Sequence, residues 1–178
     1  QVNRFKAKMQ LEPADPQKAD LELLYEVSLA ANQSSTSDGA MQACVDSVCT
    51  HAEWPIGHVY LVAEDAADEL VPTTHWHMAD TTRFDALRTL TEGARLTRGQ
   101  GLPGMALASG RPETSAAVAE IAGCPRAECL GEIGVRSGFA FPVYVGANIV
   151  AVLEFYSDKL LAPDDSVTRF AAPLAALL

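Results

Sequence analysis

Two histidines that are separated by a single residue are the first candidates for chemistry in this sequence. His75 and His77 lie in the apolar segment 70–78, and in a β-strand this spacing places both imidazoles on one face and Trp76 on the other. A pair of imidazoles can bind a metal ion or a haem iron. A metal site needs a third ligand, and only Asp80 is close in sequence. Structural histidines are therefore favoured, no metal site is predicted, and a haem or metal sensor stays an alternative.

The four cysteines form two pairs with four residues between the partners, Cys44 with Cys49 and Cys124 with Cys129. Neither pair has the two-residue spacing that is typical of zinc sites. Disulfides are rare in a reducing compartment, so such thiols remain free there. We therefore expect structural or idle thiols. A redox switch through Cys124 and Cys129 is the alternative that the spacing leaves open.

A glycine-rich segment, residues 96–112, contains a motif that resembles a nucleotide-binding fingerprint. Gly99, Gly101 and Gly104 satisfy the pattern G-x-G-x-x-G, which binds dinucleotides when a buried parallel strand precedes it and a helix follows. The residues before Gly99 are too polar for such a strand. The segment instead predicts a tight turn that leads into a short helix, with a stop at Gly110.

No residue has the surroundings of a catalytic nucleophile or of a general acid–base pair. Ser109 and Ser137 lie beside glycines, but neither lies in a G-x-S-x-G elbow. His58 is interpreted as an ordinary strand residue. Four acidic residues in the second half of the chain have no evident partner for acid–base work, namely Glu113, Glu120, Glu128 and Glu132. We therefore predict that this chain is not an enzyme.

Charge and composition limit the partners of the chain. Its 178 residues carry a formal net charge of −10, and 48% of them are hydrophobic. An acidic surface does not attract nucleic acid or an anionic membrane, so neither partner is expected. No apolar run is long enough to span a bilayer, and no signal peptide precedes the first predicted helix. We therefore expect a cytoplasmic piece of a longer protein, with enough apolar residues for a sizeable core.

Periodicity predicts helices at both ends of the sequence. Apolar residues recur at helical spacing from residue 16 and again from about residue 38, and a third such pattern begins at residue 163. Residues 1–15 are mixed and polar, and they are interpreted as a lead-in segment. We therefore expect one domain over residues 16–178, which includes the terminal helices.

Two pairs of apolar, β-branched segments predict two β-hairpins. Each pair flanks a short turn, and the four segments are residues 57–62, 70–78, 137–144 and 149–156. Between the hairpins, short helices are predicted near residues 81–90 and 124–133, and a short strand near residues 113–118. Hairpins with helices at both ends of the chain imply an antiparallel sheet covered by helices, which is an α+β fold.

Three motifs resemble those of the GAF domain family. The first is G-x-G-L-P-G followed by A-x-A-S-G-R-P, in residues 99–112. The second is G-V-R-S-G-F-A-F-P-V with G-x-x-x-x-A-V-L-E-F-Y-S, in residues 134–157, and the third is HWHMADTTRF, in residues 75–84. They occur in the order of the family and extend over about residues 21–178. The sequence is thus identified as a member of a family of small-molecule sensory domains found in bacterial sensor kinases, cyclases and phosphodiesterases.

The resemblance implies both a fold and a function. The fold is a GAF-like, PAS-related antiparallel sheet of six strands, flanked by N- and C-terminal helices. The function is that of a sensory domain in a larger bacterial signal-transduction protein, such as a two-component histidine kinase or a cyclase. Such a domain binds a small molecule, here unidentified, and relays binding through terminal helices that join other domains and form a homodimer. The alternative is a ligand-free dimerisation or scaffold module, whose interface would be Leu21, Leu24, Val27, Phe170, Leu174 and Leu177.

The ligand motifs of the family transfer only in part. Relatives that bind cyclic nucleotides carry an Asn-Lys pair, and this sequence has none. Relatives that bind bilin attach it to a cysteine about seven residues before the last hairpin, where this sequence has Ala127. The resemblance therefore disfavours both cofactors, and the identity of any cofactor stays unknown. The candidate pocket residues lie in the irregular middle region and the facing strands: His75, Trp76, His77, Phe84, Leu87, Leu102, Met105, Phe139 and Phe141.

Overall fold

One antiparallel sheet of six strands forms the centre of the molecule. The computed structural model describes residues 16–33 and 36–160. The strands are β1 Ile56–Val62, β2 Glu69–Met78, β3 Leu96–Thr97, β4 Glu113–Ser115, β5 Ser137–Val145 and β6 Asn148–Ser157. Their order across the sheet is β3-β2-β1-β6-β5-β4. The predicted α+β class with six antiparallel strands is confirmed, and both predicted hairpins form.

Helices cover both faces of this sheet. They are α1 Pro16–Gln33, α2 Ser37–Ala52, α3 Asp85–Glu92, α4 Gly101–Ser109 and α5 Ala127–Glu132. α1 and α2 pack on one face, which we call the α2 face, and α3, α4 and α5 pack on the other, which we call the α4 face. Because alternate strand residues point in opposite directions, each face has its own apolar core. In β1, for example, Val59 belongs to the α2-face core and Tyr60 to the α4-face core.

The glycine-rich segment forms the predicted turn and helix. α4 begins at Gly101, whose φ of +60° is a left-handed value that glycine adopts without strain. A β-carbon on Gly104 would lie 2.5 Å from the carbonyl oxygen of Thr97, so this close approach requires glycine. Gly110 ends the helix with a φ of +66°, and its N–H donates to the carbonyl of Ala106. Each of these glycines therefore has a backbone role.

The short elements account for the local differences between prediction and structure. β3 escapes prediction because a strand of two residues shows no alternation. The strand predicted near residues 113–118 ends at Ser115, and a 3-10 turn at Val118–Glu120 follows it. The helix predicted near residues 81–90 begins only at Asp85, after a turn. These elements are short, so periodicity gives little information about their bounds.

Some predictions concern segments beyond the described residues. The lead-in, residues 1–15, and the helix predicted from residue 163 lie outside the described part of the chain. The same holds for the proposed interface residues Phe170, Leu174 and Leu177. Within residues 16–33 and 36–160, no helix combines the length and the apolar character that crossing a membrane requires.

Candidate functional site

Side chains of three neighbouring strands meet on the α4 face of the sheet. Trp76 of β2 lies opposite His58 of β1, and His58 lies opposite Glu154 of β6. Other polar groups join them from the same strands, from α3 and from the residue that precedes α5. We call this group the polar cluster, and it consists of His58, Tyr60, Thr91, Arg126, Glu154 and Tyr156. All six residues are buried.

An ion pair between Arg126 and Glu154 lies at the centre of the polar cluster. The two guanidinium Nη atoms donate to the two carboxylate oxygens at 2.8 and 2.7 Å. Nη1 also donates to the Thr91 hydroxyl at 3.0 Å, and Nη2 donates to the Tyr156 hydroxyl at 3.1 Å. The ring centroids of Tyr60 and Tyr156 lie 5.7 and 5.8 Å from the guanidinium carbon. Charge, hydrogen bonds and aromatic contacts therefore hold Arg126 in a fixed position.

Glu154 is ionised although it is completely buried. Burial raises the pKa of a carboxyl group, but the Arg126 charge and hydrogen bonds from Arg126 and His58 lower the pKa of Glu154 to about 2. The Tyr156 hydroxyl donates a further hydrogen bond at 2.7 Å. Each carboxylate oxygen thus has two donors from the protein, which occupy its lone pairs.

His58 has a hydrogen-bond acceptor on each side of its ring. Nδ1 lies 3.2 Å from a Glu154 carboxylate oxygen, and Nε2 lies 3.1 Å from the Thr73 carbonyl oxygen. Because a neutral imidazole has one N–H, the ring donates to both partners only when it carries two protons. Trp76 stacks on this ring with the centroids 3.9 Å apart. The Thr73 carbonyl reaches the ring where the β1–β2 register shifts, between His58 and Tyr60.

Two buried donors of the polar cluster have no acceptor among the described residues. They are the Tyr60 hydroxyl and the Arg126 Nε–H. Tyr60 is completely buried, and Arg126 is 3% exposed. Burial raises the pKa of Tyr60, and the Glu154 charge raises it further, so the hydroxyl keeps its proton. An unpaired buried donor costs about 1–3 kcal/mol. Both of these donors belong to the polar cluster.

The nine predicted pocket residues are divided between the two faces of the sheet. Trp76, Phe84, Leu87 and Leu102 lie in or against the α4-face core, together with aromatic residues of the polar cluster. Met105 is half-buried on α4. Four predicted residues lie on the α2 face, namely His75, His77, Phe139 and Phe141. A single pocket on the α4 face therefore cannot include all nine, because the sheet separates them.

The predicted histidine pair faces α2, on the side of β2 opposite Trp76. Nδ1 of His77 lies 2.9 Å from a carboxylate oxygen of Asp46, and Nε2 of His75 lies 3.6 Å from one of Asp38. Each histidine therefore pairs with a carboxylate of α2. Among the described residues, no group of three or more potential ligands could hold a metal ion.

All four cysteines are free thiols. Cys44 and Cys49 lie in the α2-face core, where burial raises the pKa of Cys44 to about 12 and that of Cys49 well above its ordinary value. Cys129 belongs to the α4-face core, and burial raises its pKa. Cys124 is partly exposed, and its sulfur would lie 3.2 Å from a β-carbon on Gly101. Of the four thiols, Cys124 is therefore the one that combines exposure with a place beside α4.

The polar cluster escapes sequence-based prediction. His58 resembles any strand residue, and Arg126 stands in a stretch without clear periodicity. One signal does exist, because Glu154 is the single charged residue inside the apolar segment 149–156. Alternate residues of a strand share a face, so Val152, Glu154 and Tyr156 point the same way. A charge on a buried face needs a partner inside the protein, and that partner is Arg126.

Comparison with known sequences gives one clear similarity. A sequence model of the GAF domain matches residues 34–178, which is most of the chain. Comparison with curated proteins gives no match.

Several solved structures share the fold. Free methionine-R-sulfoxide reductase from Neisseria meningitidis, in complex with its substrate, is 18% identical, with a TM-score of 0.72 over 93% of this chain and 89% of that chain. The Nlh2 GAF domain of A. aeolicus, in an inactive state, is 13% identical, with a TM-score of 0.67 over 92% of this chain and 93% of that chain. The GAF domain of a phosphoenolpyruvate-protein phosphotransferase from Coxiella burnetii is 16% identical, with a TM-score of 0.68 over 89% of this chain and 92% of that chain. At such identities the likeness concerns the fold alone.

Proposed function

This chain belongs to the GAF domain family, and on that premise we propose that it is a sensory module that binds a small molecule at the polar cluster. GAF domains occur in sensory and regulatory proteins. The observation that carries the proposal is the pair of buried donors, the Tyr60 hydroxyl and the Arg126 Nε–H, that lack an acceptor among the described residues. A ligand that accepts from both would remove a cost of about 1–3 kcal/mol for each donor.

Contacts between β1, β2 and α2 support a relay from this site to the N-terminal helices. β1 carries His58 on the α4 face, and its Gly57 lies directly against α2, since a β-carbon there would be 2.7 Å from the Cys49 sulfur. Gln42 of α2 donates to the main-chain carbonyl of Trp76, whose ring stacks on His58. A ligand with different affinities for two positions of these strands would therefore shift α2 and, with it, α1.

The surface of α1 supports a homodimer within a longer signalling protein. Leu21, Tyr25 and Leu29 recur every four residues and are 67%, 68% and 43% exposed. Leu24 and Val27 instead pack against the α2-face core. We expect a dimer in analytical ultracentrifugation at high micromolar concentration and a monomer for the double variant Leu21→Glu/Tyr25→Glu. A monomeric wild-type protein would contradict the proposed interface.

Native mass spectrometry of gently purified protein tests the sensory function. We expect an added mass on the folded chain that denaturation removes. Tyr60→Phe should reduce the bound fraction, whereas the matched control Tyr144→Phe should not, because the Tyr144 hydroxyl lies outside the polar cluster and donates to the Gly110 carbonyl. If the wild type carries no added mass and no small molecule raises its Tm, the ligand-free scaffold becomes the better interpretation.

A thiol-dependent sulfoxide reductase is the second candidate function. One protein of the same fold is a free methionine-R-sulfoxide reductase, and Cys124 and Cys129 both lie in or against the α4-face core. Two thiols can reduce a sulfoxide to a sulfide, and the products are then one disulfide and one water. The raised pKa of Cys129 makes it a poor nucleophile, so we place the sensory function first.

An activity assay separates these two candidates. The protein is incubated with free methionine sulfoxide and dithiothreitol, and methionine is measured over time. We expect no turnover above that of dithiothreitol alone. Methionine formation that Cys124→Ser abolishes would replace the sensory function with an enzymatic one.

A further inference from the structure

The unpaired donors indicate a chemical class of ligand as well as a place. We propose that the polar cluster binds a small organic anion through a carboxylate oxygen, which accepts from the Tyr60 hydroxyl and the Arg126 Nε–H. The inference rests on the proposed function, because it concerns the same site. It restricts the ligand to compact carboxylates, such as short monocarboxylic, oxo- and dicarboxylic acids.

The hydrogen bonds of the polar cluster favour an acceptor over a donor. Both oxygens of Glu154 are occupied by donors from Arg126, His58 and Tyr156. The Thr91 hydroxyl already accepts from Arg126. An ammonium or guanidinium ligand would therefore compete with Arg126 for these oxygens. A carboxylate would instead meet two buried donors that have no acceptor among the described residues.

The charges favour an anion over a neutral acceptor. Arg126 and Glu154 balance each other while no ligand is bound. The Arg126 Nε–H is a donor on a charged group. Its hydrogen bond to a carboxylate joins two charged groups and is therefore stronger than its hydrogen bond to a neutral acceptor. Because the cluster is buried, hydrogen bonds to that carboxylate are also stronger than in water.

The neighbours of the cluster limit the remainder of the ligand. The α4-face core around Tyr60 and Tyr156 includes Leu87 of α3 and Leu102 of α4, which are 0% and 1% exposed. These side chains offer apolar contact and no further charge. The part of the ligand beyond its carboxylate should therefore be short.

Titrations with matched acids and amides test this inference. Acetate, pyruvate and succinate are each compared with the corresponding neutral amide, by thermal shift and by tryptophan fluorescence. Trp76 is the reporter because its ring stacks on His58, whereas Trp54 lies in the α2-face core. We expect a saturable rise in Tm and a change in emission with at least one acid and not with its amide.

A conservative variant locates the binding. Tyr60→Phe removes one unpaired hydroxyl and leaves the pairing of Arg126 with Glu154 intact. It should weaken binding of the active acid roughly 10- to 100-fold, the value of one hydrogen bond to a charged group. Tyr144→Phe should leave the affinity unchanged. Equal affinities of the wild type and Tyr60→Phe would overturn the assignment to this cluster.

The remaining outcomes distinguish this inference from the proposed function. If an acid and its amide bind equally well, the preference for an anion is refuted and the site stands. The same holds if native mass spectrometry finds an uncharged ligand whose binding requires Tyr60. If no compound raises the Tm and no added mass is found, the inference and the proposed function both fail.

Discussion

Replacing Arg126 with methionine should destabilise the domain far more than a substitution on its surface. The change removes the charge that compensates Glu154, together with two hydrogen bonds of 2.8 and 2.7 Å. Glu154 is completely buried, so its carboxylate would be left without a cation. Removing one partner of a buried ion pair costs roughly 3–5 kcal/mol. In a domain of this size we expect a fall of roughly 10 °C in Tm.

Urea unfolding of three variants measures this coupling. Arg126→Met should lower the free energy of unfolding by roughly 3–5 kcal/mol. The control is Arg111→Met, at an exposed arginine outside the cluster, and its free energy of unfolding should stay within about 0.5 kcal/mol of the wild-type value. The double variant Arg126→Met/Glu154→Leu should recover part of the loss, because it leaves no unpaired charge in the α4-face core. A loss below about 1 kcal/mol for Arg126→Met, or additive effects in the double variant, would refute this reasoning.

Three further predictions follow from buried groups. The pKa of Glu154 is about 2 in the folded protein and lies below its usual value of 4.5. The contribution of Glu154 to the free energy of unfolding is therefore complete above pH 4.5 and is lost as the pH falls towards 2. Unfolding followed by circular dichroism should show that Glu154→Gln lacks this loss of roughly 3 kcal/mol at acid pH, and the same pH dependence of stability in both proteins would contradict the prediction. Gly57→Ala should lower the free energy of unfolding, measured in urea, by about 1–3 kcal/mol, because the new methyl group would lie 2.7 Å from the Cys49 sulfur. The control Gly131→Ala, with its nearest contact at 3.4 Å, should be near neutral, and equal losses would count against the packing argument. Ellman's reagent should label Cys124 in the native protein but Cys49 only after unfolding, because burial raises the pKa of Cys49, and fast native labelling of Cys49 would disprove this.

Local patterns predict the parts of the fold that are long enough to show a period. β5 and β6 have nine and ten residues and a short turn between them, so alternation and turn chemistry indicate the hairpin. α1 and α2 have 18 and 16 residues and show helical spacing in the same way. β3 has two residues and exists because Leu96 pairs with Leu70 of β2. Such a contact is tertiary, and no local pattern encodes it.

The candidate site is harder to predict because its residues are distant in sequence. Glu154 meets Arg126 across 28 residues and His58 across 96 residues. The spacing of His75 and His77 correctly indicates that they share a face of β2. It does not indicate which face α2 covers, and that packing decides which side chains lie near the polar cluster. The pairing of buried charges depends on the tertiary structure, so the sequence alone does not predict it.

Glu154 also has a consequence for how the chain selects its strand pairing. In the native register it lies between His58 of β1 and Ala140 of β5, facing Arg126. A slip of β6 by one residue would turn its side chain to the opposite face of the sheet. There the carboxylate would enter the apolar core that contains Phe155 and would have lost its cation. Burying an unpaired charge costs several kcal/mol, so one carboxylate excludes misaligned hairpins that its apolar neighbours alone would tolerate.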